Sequence, residues 1–236
     1  MEFAKPLMRG RLVRRYKRFL ADVLLDDGRE VTAHCANPGA MLGLNAPGSL
    51  VWLEPNDDPR RSLRFAWRLV ELPGGAWAGI DASLPNRLVK EALAAGGVPA
   101  LAGYAAFRPE VRYGRASRID FLATGPGLPD AWLEVKNVHL SRSPGLAEFP
   151  DCVTARGARH LEELAGVVAA GGRGIRRYVV QRTDCAEMTL AADLDPGYAR
   201  AFAAARAAGV EVHVQGTTIS PGGVTLAGEM SFRAPG

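Results

Sequence analysis

Apolar and polar positions alternate along the first part of the chain in short runs that are typical of β-strands. Over residues 13–25 an apolar side chain recurs at nearly every second position, and Asp26-Asp27-Gly28 then gives a hairpin turn signal. Similar runs between clusters of Pro, Gly and Asp predict further strands at 29–34, 49–54, 63–72 and 77–80. Several short strands without a helical pattern predict a small antiparallel barrel over residues 1–82.

The pattern changes after Leu84, where helical and strand-like segments alternate. Apolar spacing and flanking Gly or Pro residues predict helices over 86–95, 154–170 and 196–208. Strands are predicted over 105–113, 117–124, 132–138, 177–181 and 210–214. This order predicts an α/β unit with a central mixed sheet over residues 83–236. The predicted fold class is therefore a two-domain chain of the α+β or α/β type, with the barrel first.

Positive charge is concentrated at the start of the chain. The 236 residues contain 29 Lys plus Arg and 25 Asp plus Glu, which gives a net charge of +4. Residues 1–20 contain seven basic residues and one acidic residue, so this segment contributes +6 and the remainder sums to −2. Such a local concentration indicates an anionic partner more strongly than a high overall pI does.

Composition excludes several classes of protein. No apolar run approaches the roughly 18 residues of a membrane span, and no apolar segment follows the basic N-terminus, so neither a membrane protein nor a signal peptide is predicted. Cys35, Cys152 and Cys185 are odd in number and lack CxxC spacing. This argues against a disulfide framework or a cysteine zinc site and favours the cytoplasm. No small organic cofactor is predicted, and the oligomeric state stays open, a homodimer included.

Two predicted strands bring a set of charged side chains together. If 117–124 and 132–138 form a hairpin centred on Gly127, residues whose numbers sum to 254 face one another. Asp120 then lies opposite Glu134, and the two-residue period of a strand puts Lys136 on the same face. Two ionised carboxylates repel each other unless a cation lies between them, and oxygen ligands of this kind suit Mg²⁺ or Mn²⁺.

The same face has the groups that phosphodiester hydrolysis needs. An ammonium beside a metal ion can orient or deprotonate an attacking water, or stabilise charge in the transition state. The chain uses 25 Arg but only four Lys, and Lys136 is one of them. An ammonium is a compact charge whose pKa can be shifted, whereas a guanidinium is not. The alternative interpretation is the charged outer face of an ordinary hairpin.

Several segments resemble the sugar fermentation stimulation protein A family. They are LVRRYKRF at 12–19, HCANPGAM at 34–41, SRIDF at 117–121, EVKNV at 134–138, FPD with TARG at 149–157, and VVQR at 179–182. The family's loop is His-Cys-Pro-Asn-Thr-Gly, from which this chain departs at Ala36 and Pro38. The resemblance implies an OB-fold joined to a nuclease domain of the PD-(D/E)xK class, and it implies DNA binding. It also implies that Asp120, Glu134 and Lys136 are the metal and catalytic positions.

Further residues are predicted around this site. In nucleases of this class an acid on the first helix often completes the metal shell, so Glu91 is the predicted third ligand, with a solvated helix glutamate as the alternative. Gln181 ends a predicted strand, where it could hold a metal-bound water or a phosphate, and it joins the catalytic set. His160 is expected to be a hydrogen-bonded or surface histidine. Arg156, in the first turn of the same helix, could receive a phosphate, although plain helix capping is favoured.

The basic segment of the barrel is the predicted nucleic-acid surface. Its cations can bind phosphates and its rings can stack on bases. The predicted contacts are Arg14, Arg15, Tyr16, Lys17 and Arg18. Alternation along a strand would send some of them to opposite faces, and a solvated basic strand is the alternative interpretation.

Two hypotheses of function follow. In the first, the barrel binds nucleic acid, DNA by resemblance, and the second domain hydrolyses phosphodiesters with Mg²⁺ or Mn²⁺. In the second, the protein is a non-catalytic DNA-binding regulator linked to sugar utilisation, and its nuclease-like domain is a relic or a scaffold. The joint presence of Asp120, Glu134 and Lys136 favours the first hypothesis.

Overall fold

In a computed structural model, which describes residues 1–114 and 117–234, the chain begins with a closed barrel. Its strands are β1 (Met8–Tyr16), β2 (Leu20–Leu25), β3 (Glu30–Cys35), β4 (Leu50–Pro55), β5 (Phe65–Glu71) and β6 (Trp77–Gly79). They pair in the order β3-β2-β1-β4-β5-β6, and β3 also pairs in parallel with β5. That additional pairing closes β1 to β5 into a five-stranded, OB-like barrel, as predicted. Alternate side chains fill its interior, among them Leu12, Val23, Leu53 and Trp67.

The segment predicted as one strand, residues 13–25, is instead a hairpin. β1 ends at Tyr16 and β2 begins at Leu20, and these two residues pair with each other. Between them, Lys17 and Arg18 have φ angles of 48° and 62°. Turns with positive φ are normally marked in a sequence by Gly, Asn or Asp. Because neither cation is such a residue, the sequence did not indicate the turn.

A mixed-sheet α/β domain follows the barrel. Its helices are α1 (Leu84–Ala94), α2 (Ala155–Ala169) and α3 (Pro196–Ala207). Its strands are β7 (Ala106–Tyr113), β8 (Ser117–Thr124), β9 (Ala131–Val138), β10 (Leu140–Ser143), β11 (Gly145–Phe149), β12 (Arg173–Val180), β13 (Cys185–Leu190), β14 (Glu211–Ser220), β15 (Gly223–Glu229) and β16 (Ser231–Phe232). Short 3₁₀ turns lie at Pro73–Gly75 and Pro99–Leu101.

The central sheet has the order β15-β14-β12-β9-β8-β7. β9, β12 and β14 are parallel to one another, while β7, β8 and β15 join by antiparallel pairing. One face of the sheet packs on α1, where Val89 meets Phe121 and Leu133. The other face packs on α2 and α3 through a cluster that includes Leu161 and Phe202. The sheet therefore lies between helices on both faces.

A second sheet, β10-β11-β13-β16, was not predicted. Its strands are short, and the segment 140–149 is rich in Ser, Gly and Pro, a composition that indicates a loop. β12 also starts four residues before its prediction, at Arg173, because the buried residues Arg176 and Arg177 interrupt the apolar pattern. Within the part of the chain that the structure describes, no helix is long and apolar enough to cross a membrane.

Candidate functional site

A cavity of about 400 Å³ lies between the barrel and the second domain. The barrel side and the start of α1 contribute Asn37, Pro38, Ala82 and Asn86. The central sheet contributes Glu110, Arg118, Asp120, Glu134, Val135, Lys136 and Asn137, and His139 follows directly after β9. The region before and within α2 contributes Phe149, Thr154, Arg156, Gly157 and His160. The three residues predicted to form the catalytic core, Asp120, Glu134 and Lys136, thus share one wall of a single cavity.

The hairpin of β8 and β9 has the predicted register, since Phe121 pairs with Leu133. The ladder stops there, and the Val135 N–H donates to Asp120 Oδ2 at 2.7 Å instead of to a backbone carbonyl. Opposite Asp120 on β7, Glu110 has a φ of 54°, and it too interrupts the regular pairing. The strands therefore separate at Asp120, and the opening places its carboxylate on the cavity wall.

This irregularity also changes which face the end of β8 presents. Simple alternation put Ile119 on the same face as Phe121. Instead Ile119 lies in the cluster beneath α2 with Leu122, whereas Phe121 lies in the cluster beneath α1. The two-residue period of a strand thus fails at Ile119, because it holds only while the ladder is regular.

Both oxygens of Asp120 are held by neighbours. Asn86 Nδ2 donates to Oδ1 at 2.7 Å, and the Val135 N–H occupies Oδ2. Burial, followed by the nearby charge of Glu134, raises the pKa of Asp120 to about 6. The carboxylate is thus fixed in place, and it takes up a proton far more readily than an exposed aspartate does.

Glu134 is almost fully buried, with 2% of its surface exposed. Its Oε1 accepts from Lys136 Nζ at 2.6 Å and lies 2.5 Å from His160 Nδ1, with Arg176 Nη1 3.9 Å away. Burial by itself would raise the pKa of Glu134, but the His160 hydrogen bond and the neighbouring cations outweigh it and hold that pKa at about 2. Glu134 Oε2 is buried and has no hydrogen-bond partner among the described residues.

Lys136 connects this acid to the cavity. Its side chain is 21% exposed, and Nζ donates to Glu134 Oε1. Burial lowers the pKa of Lys136, although the charge of Glu134 opposes that shift. The ammonium is therefore an internal counter-ion that still borders the open volume.

The donor set fits a hard divalent cation. Asp120 and Glu134 supply carboxylate oxygens on one wall, and Glu134 Oε2 is a buried acceptor that no donor occupies. Mg²⁺ is commonly held by one or two carboxylates while waters and substrate phosphates complete its shell. Among residues 1–114 and 117–234, no three His, Cys, Asp or Glu side chains form a metal-binding cluster. The wall therefore suits a weakly chelated ion with room for substrate oxygens better than a closed structural site.

The structure corrects the prediction for Glu91. The side chain of Glu91 is 57% exposed and lies 3.5 Å from the N-terminal amine of Met1, away from the cavity. Asn86 is the residue of α1 that lines the cavity, and Glu91 lies five positions later, about 140° further around the helix. The alternative interpretation, a solvated helix glutamate, describes Glu91 correctly.

The structure also corrects the prediction for Gln181, which is fully buried and does not line the cavity. Gln181 Nε2 donates to Asn137 Oδ1 at 2.6 Å and to the Asp81 carbonyl at 3.0 Å. Gln181 therefore joins the end of the barrel to a residue of the cavity wall. It supports that wall from behind instead of reaching a phosphate.

A second connection between barrel and cavity wall runs through Asp151. The Met41 N–H, in the loop after β3, donates to Asp151 Oδ2 at 3.0 Å, and His139 Nε2 lies 3.3 Å from the same oxygen. Asn137 Nδ2 lies 3.0 Å from His139 Nδ1. Because that amide nitrogen can only donate, Nδ1 accepts and the ring proton sits on Nε2, facing Asp151. Asp151 thus holds the barrel loop and the cavity wall in one arrangement.

The predicted nucleic-acid residues divide into two groups. Arg14 Nε donates to Asp22 Oδ2 at 2.8 Å, and the Arg14 guanidinium lies over the Tyr16 ring. Arg15 donates to the carbonyls of Arg18, Asn37 and Gly39. It therefore connects the hairpin turn to the loop that lines the cavity. Arg14, Arg15 and Tyr16 thus each have hydrogen-bond partners within the barrel domain, although the Arg14 side chain is still 67% exposed.

Lys17 and Arg18 form the second group. Both are exposed at the turn between β1 and β2, and neither forms a salt bridge within the part of the chain that the structure describes. Phe19 follows them, is 44% exposed, and stacks on His34 with ring centroids 6.3 Å apart. Arg15 connects the turn that holds these exposed cations to the loop whose Asn37 and Pro38 line the cavity.

The sequence did not place four residues beside the acids, Asn86, Glu110, His160 and Arg176, although it predicted a hydrogen-bonded or surface histidine at His160. His160 meets Glu134 only because α2 packs across β9, and the sequence separates them by 26 positions. Arg176 looked like an interruption of a strand, yet it is fully buried behind Glu134. Only the position of Asn86 in the first turn of α1 could have indicated its role from the sequence, since polar residues in a first helical turn can face a neighbouring sheet.

Comparisons with known proteins give consistent results. Residues 83–223 match the family model described as the sugar fermentation stimulation protein RE domain, and residues 13–80 match that of the SfsA N-terminal OB domain. A sugar fermentation stimulation protein homolog of Jannaschia sp. (strain CCS1) is 62% identical over 231 residues, which cover 98% of this chain and 96% of that protein. A homolog from Ruegeria pomeroyi is 61% identical over 227 residues, 96% of this chain and 99% of that protein.

A solved structure is similar over the same extent. It is that of Pyrococcus furiosus SfsA in complex with Ca²⁺, which is 26% identical in sequence. The two structures match with a TM-score of 0.89 over 99% of this chain and 98% of that chain. Both the barrel and the mixed-sheet domain thus have counterparts in that structure.

Proposed function

Since the chain belongs to the sugar fermentation stimulation protein A (SfsA) family, we propose that it binds nucleic acid and hydrolyses phosphodiester bonds with a divalent metal ion, Mg²⁺ or Mn²⁺. The observation that carries this proposal is Glu134 Oε2, a buried carboxylate oxygen without a partner among the described residues. The residue Glu134 lines the same cavity as Asp120 and Lys136. A buried acceptor left in this way is costly for folding, and a bound cation would remove that cost.

The proposed metal residues are Asp120 and Glu134. The Pyrococcus furiosus relative binds Ca²⁺, which is a hard cation with the same preference for oxygen ligands as Mg²⁺. When bound, the ion would act as a Lewis acid on a phosphoryl oxygen of the substrate. Asn86 would keep the Asp120 carboxylate oriented throughout, because it already donates to Oδ1.

Lys136 is the proposed catalytic lysine. Its Nζ borders the cavity and lies 2.6 Å from Glu134 Oε1, so it would compensate the acid's charge until substrate arrives. In the complex the ammonium would orient the attacking water and stabilise charge on the phosphoryl group. Arg118 and Arg156 line the same cavity and would contact phosphates on either side of the scissile bond.

The nucleic acid would reach the cavity from the barrel. Lys17 and Arg18 are exposed at the hairpin turn, and Arg15 fastens that turn to the loop whose Asn37 and Pro38 line the cavity. A strand held by phosphate contacts at the turn can therefore continue along one surface to Asp120. Arg14 and Tyr16 would act by shaping the hairpin.

A cleavage assay tests the proposal. The wild-type protein, Asp120→Ala and Lys136→Ala are incubated with single- and double-stranded DNA and RNA in Mg²⁺, Mn²⁺ or EDTA. We expect metal-dependent cleavage by the wild-type protein that both substitutions abolish. Absence of cleavage on every substrate would overturn the hydrolytic function, and cleavage that survives both substitutions would reject this cavity as its site.

One observation favours the non-catalytic alternative. Glu134 Oε1 already has Lys136, His160 and Arg176 around it, so this chain can balance the acid without a metal ion. In that case the protein would be a DNA-binding regulator, and the same assay would give binding of nucleic acid without cleavage under any metal condition.

A further inference from the structure

We propose that His160 is a positioning residue for the metal site: a neutral imidazole that donates from Nδ1 to Glu134 Oε1 and thereby presents Oε2 as the oxygen that binds the metal ion. The inference rests on the proposed function, because it assigns a role toward the proposed ion. It concerns residues of α2, which lie outside the set Asp120, Glu134 and Lys136.

The location of the ring proton follows from Arg156. Arg156 Nε lies 3.3 Å from His160 Nε2, and a guanidinium has only donors, so Nε2 of the imidazole accepts. The remaining nitrogen, Nδ1, therefore has the proton when the ring is neutral, and it lies 2.5 Å from Glu134 Oε1. Arg156, His160 and Glu134 thus form one hydrogen-bond chain, in which Arg156 donates to His160 and His160 donates to Glu134.

The start of α2 holds this chain in place. Arg156 and His160 are four residues apart and so lie on one face of the helix. The Thr154 side chain caps the helix by accepting from the Gly157 N–H at 3.1 Å, and the Thr154 N–H donates to Asp195. A Cβ on Gly157 would come within 2.8 Å of Thr154 Oγ1, so glycine allows this first turn to sit closely against its neighbours.

The consequence for Glu134 is an unequal carboxylate. Lys136 and His160 both contact Oε1, and Arg176 lies nearest to the same oxygen, whereas Oε2 has no partner among the described residues. A carboxylate held at one oxygen keeps the other in a fixed direction. Histidine–carboxylate pairs around metal sites orient ligands in this way, and losing such a partner typically weakens metal binding by about 10- to 100-fold.

His160 also separates positioning from chemistry. In the proposed reaction Lys136 turns to water and substrate, and its hydrogen bond to Glu134 weakens. His160 is 2% exposed and has both ring nitrogens engaged by protein, so its contact persists when substrate enters. Arg156 lines the cavity, and a phosphate bound there would act on Glu134 through the imidazole.

The test compares variants that keep or remove the donor at the Nδ1 position. In His160→Asn the side-chain amide nitrogen can take the place of Nδ1, whereas His160→Leu has no donor. His213→Leu, at a partly exposed histidine of β14, is the matched control. Mn²⁺ affinity of the full chain is measured by calorimetry without substrate. We expect His160→Leu to bind about 10- to 100-fold more weakly, and His160→Asn and the control to stay near wild type.

Each result decides one part of the inference. Equal Mn²⁺ affinity of wild type and a folded His160→Leu protein would overturn the positioning role, and so would a His160→Asn protein as weak as His160→Leu. Wild-type protein that binds no Mn²⁺ would overturn the proposed function itself and the inference with it. Nitrogen-15 spectra of the histidine rings in the metal-free protein give a readout independent of metal: the neutral Nδ1–H form is expected for His160, and an Nε2–H form would overturn the hydrogen-bond chain.

Discussion

Two carboxylates of the molecule look alike in sequence and differ in what surrounds them. Asp22 on β2 and Glu134 on β9 both lie on strands, and each pairs with a basic residue, Arg14 and Lys136 respectively. Around Asp22, Arg14, Tyr16 and Thr32 occupy both oxygens. Around Glu134, the donors all gather at Oε1, and Oε2 has none among the described residues.

The difference teaches that a buried ion pair indicates a functional site when it leaves a polar atom without a partner. In the pair of Arg14 and the buried Asp22, both oxygens of the acid have donors from the protein. The cavity pair remains open, and burial makes its unsatisfied oxygen costly.

The largest expected effect is on cleavage. Lys136→Met should lower the rate of metal-dependent cleavage by about 10²- to 10⁴-fold, because the ammonium that orients water and stabilises charge is lost. Lys90→Met is the matched control, since Lys90 is exposed on α1, and it should cleave as the wild type does. Single-turnover assays measure both rates, and comparable losses in the two variants would contradict the role of Lys136.

The next largest effect is expected on the free energy of unfolding, at Asp151, whose partners lie in both domains. The His139 ring, 3.3 Å from Asp151 Oδ2, and the Met41 N–H together outweigh burial and hold the pKa of Asp151 at about 2. A lowered pKa stabilises the folded state at neutral pH, and that stability is lost as pH falls from about 4 toward 2. Asp151→Asn should therefore lower the free energy of unfolding by about 2 kcal/mol at pH 7.

Urea titrations at pH 7 and pH 3 measure this difference, which should shrink at the lower pH. Asp193→Asn is the control, because Asp193 is largely exposed and its pairing with Arg142 is screened by water. If the Asp151→Asn protein is as stable as wild type at pH 7, Asp151 does not stabilise the barrel loop against the second domain.

A smaller effect concerns pH and metal affinity. Burial and the charge of Glu134 raise the pKa of Asp120 to about 6, so a proton competes with a metal ion for this carboxylate below that pH. Mn²⁺ affinity should therefore fall as pH decreases through 6, by up to about tenfold per pH unit. Calorimetry between pH 7.5 and pH 5 measures this trend. An Mn²⁺ affinity that does not change over that range would show that Asp120 is not a ligand.

The smallest effect is expected at the barrel. The double variant Lys17→Ala/Arg18→Ala should reduce the slope of log affinity against log salt by about 2, since each phosphate contact contributes about 0.9 for duplex DNA. Arg14→Ala should leave the slope unchanged, because Arg14 is engaged with Asp22. Fluorescence anisotropy over a salt series measures both slopes. The reverse result would place the contact on the strand instead of the turn.

Local patterns in the sequence predicted much of this site. The two-residue period of a strand and the glycine-centred turn predicted the register of β8 and β9. The observed pairing of Phe121 with Leu133 has that register, since their residue numbers sum to 254. The resemblance to a known family selected the same acids. These features depend on residues close together in the chain, where alternation and turn chemistry hold.

The remaining features depend on packing between distant segments. His160 reaches Glu134 because α2 crosses β9, and no spacing in the sequence indicates that contact. Glu91 failed as a ligand because the orientation of α1, which the sequence leaves undetermined, turns Asn86 toward Asp120. Gln181 failed because its strand end lies beneath the barrel, where Asp81 covers it. Each error arose where a tertiary contact overrode a sound local expectation.

Crystals soaked in Mn²⁺ test the central claim most directly, because anomalous scattering locates the ion without reference to activity. We predict one strong anomalous peak in the cavity that is coordinated by Asp120 and by Glu134 through Oε2, and that is absent from crystals of Asp120→Asn. A peak elsewhere, or an empty cavity at saturating Mn²⁺ in wild-type crystals, would contradict the account.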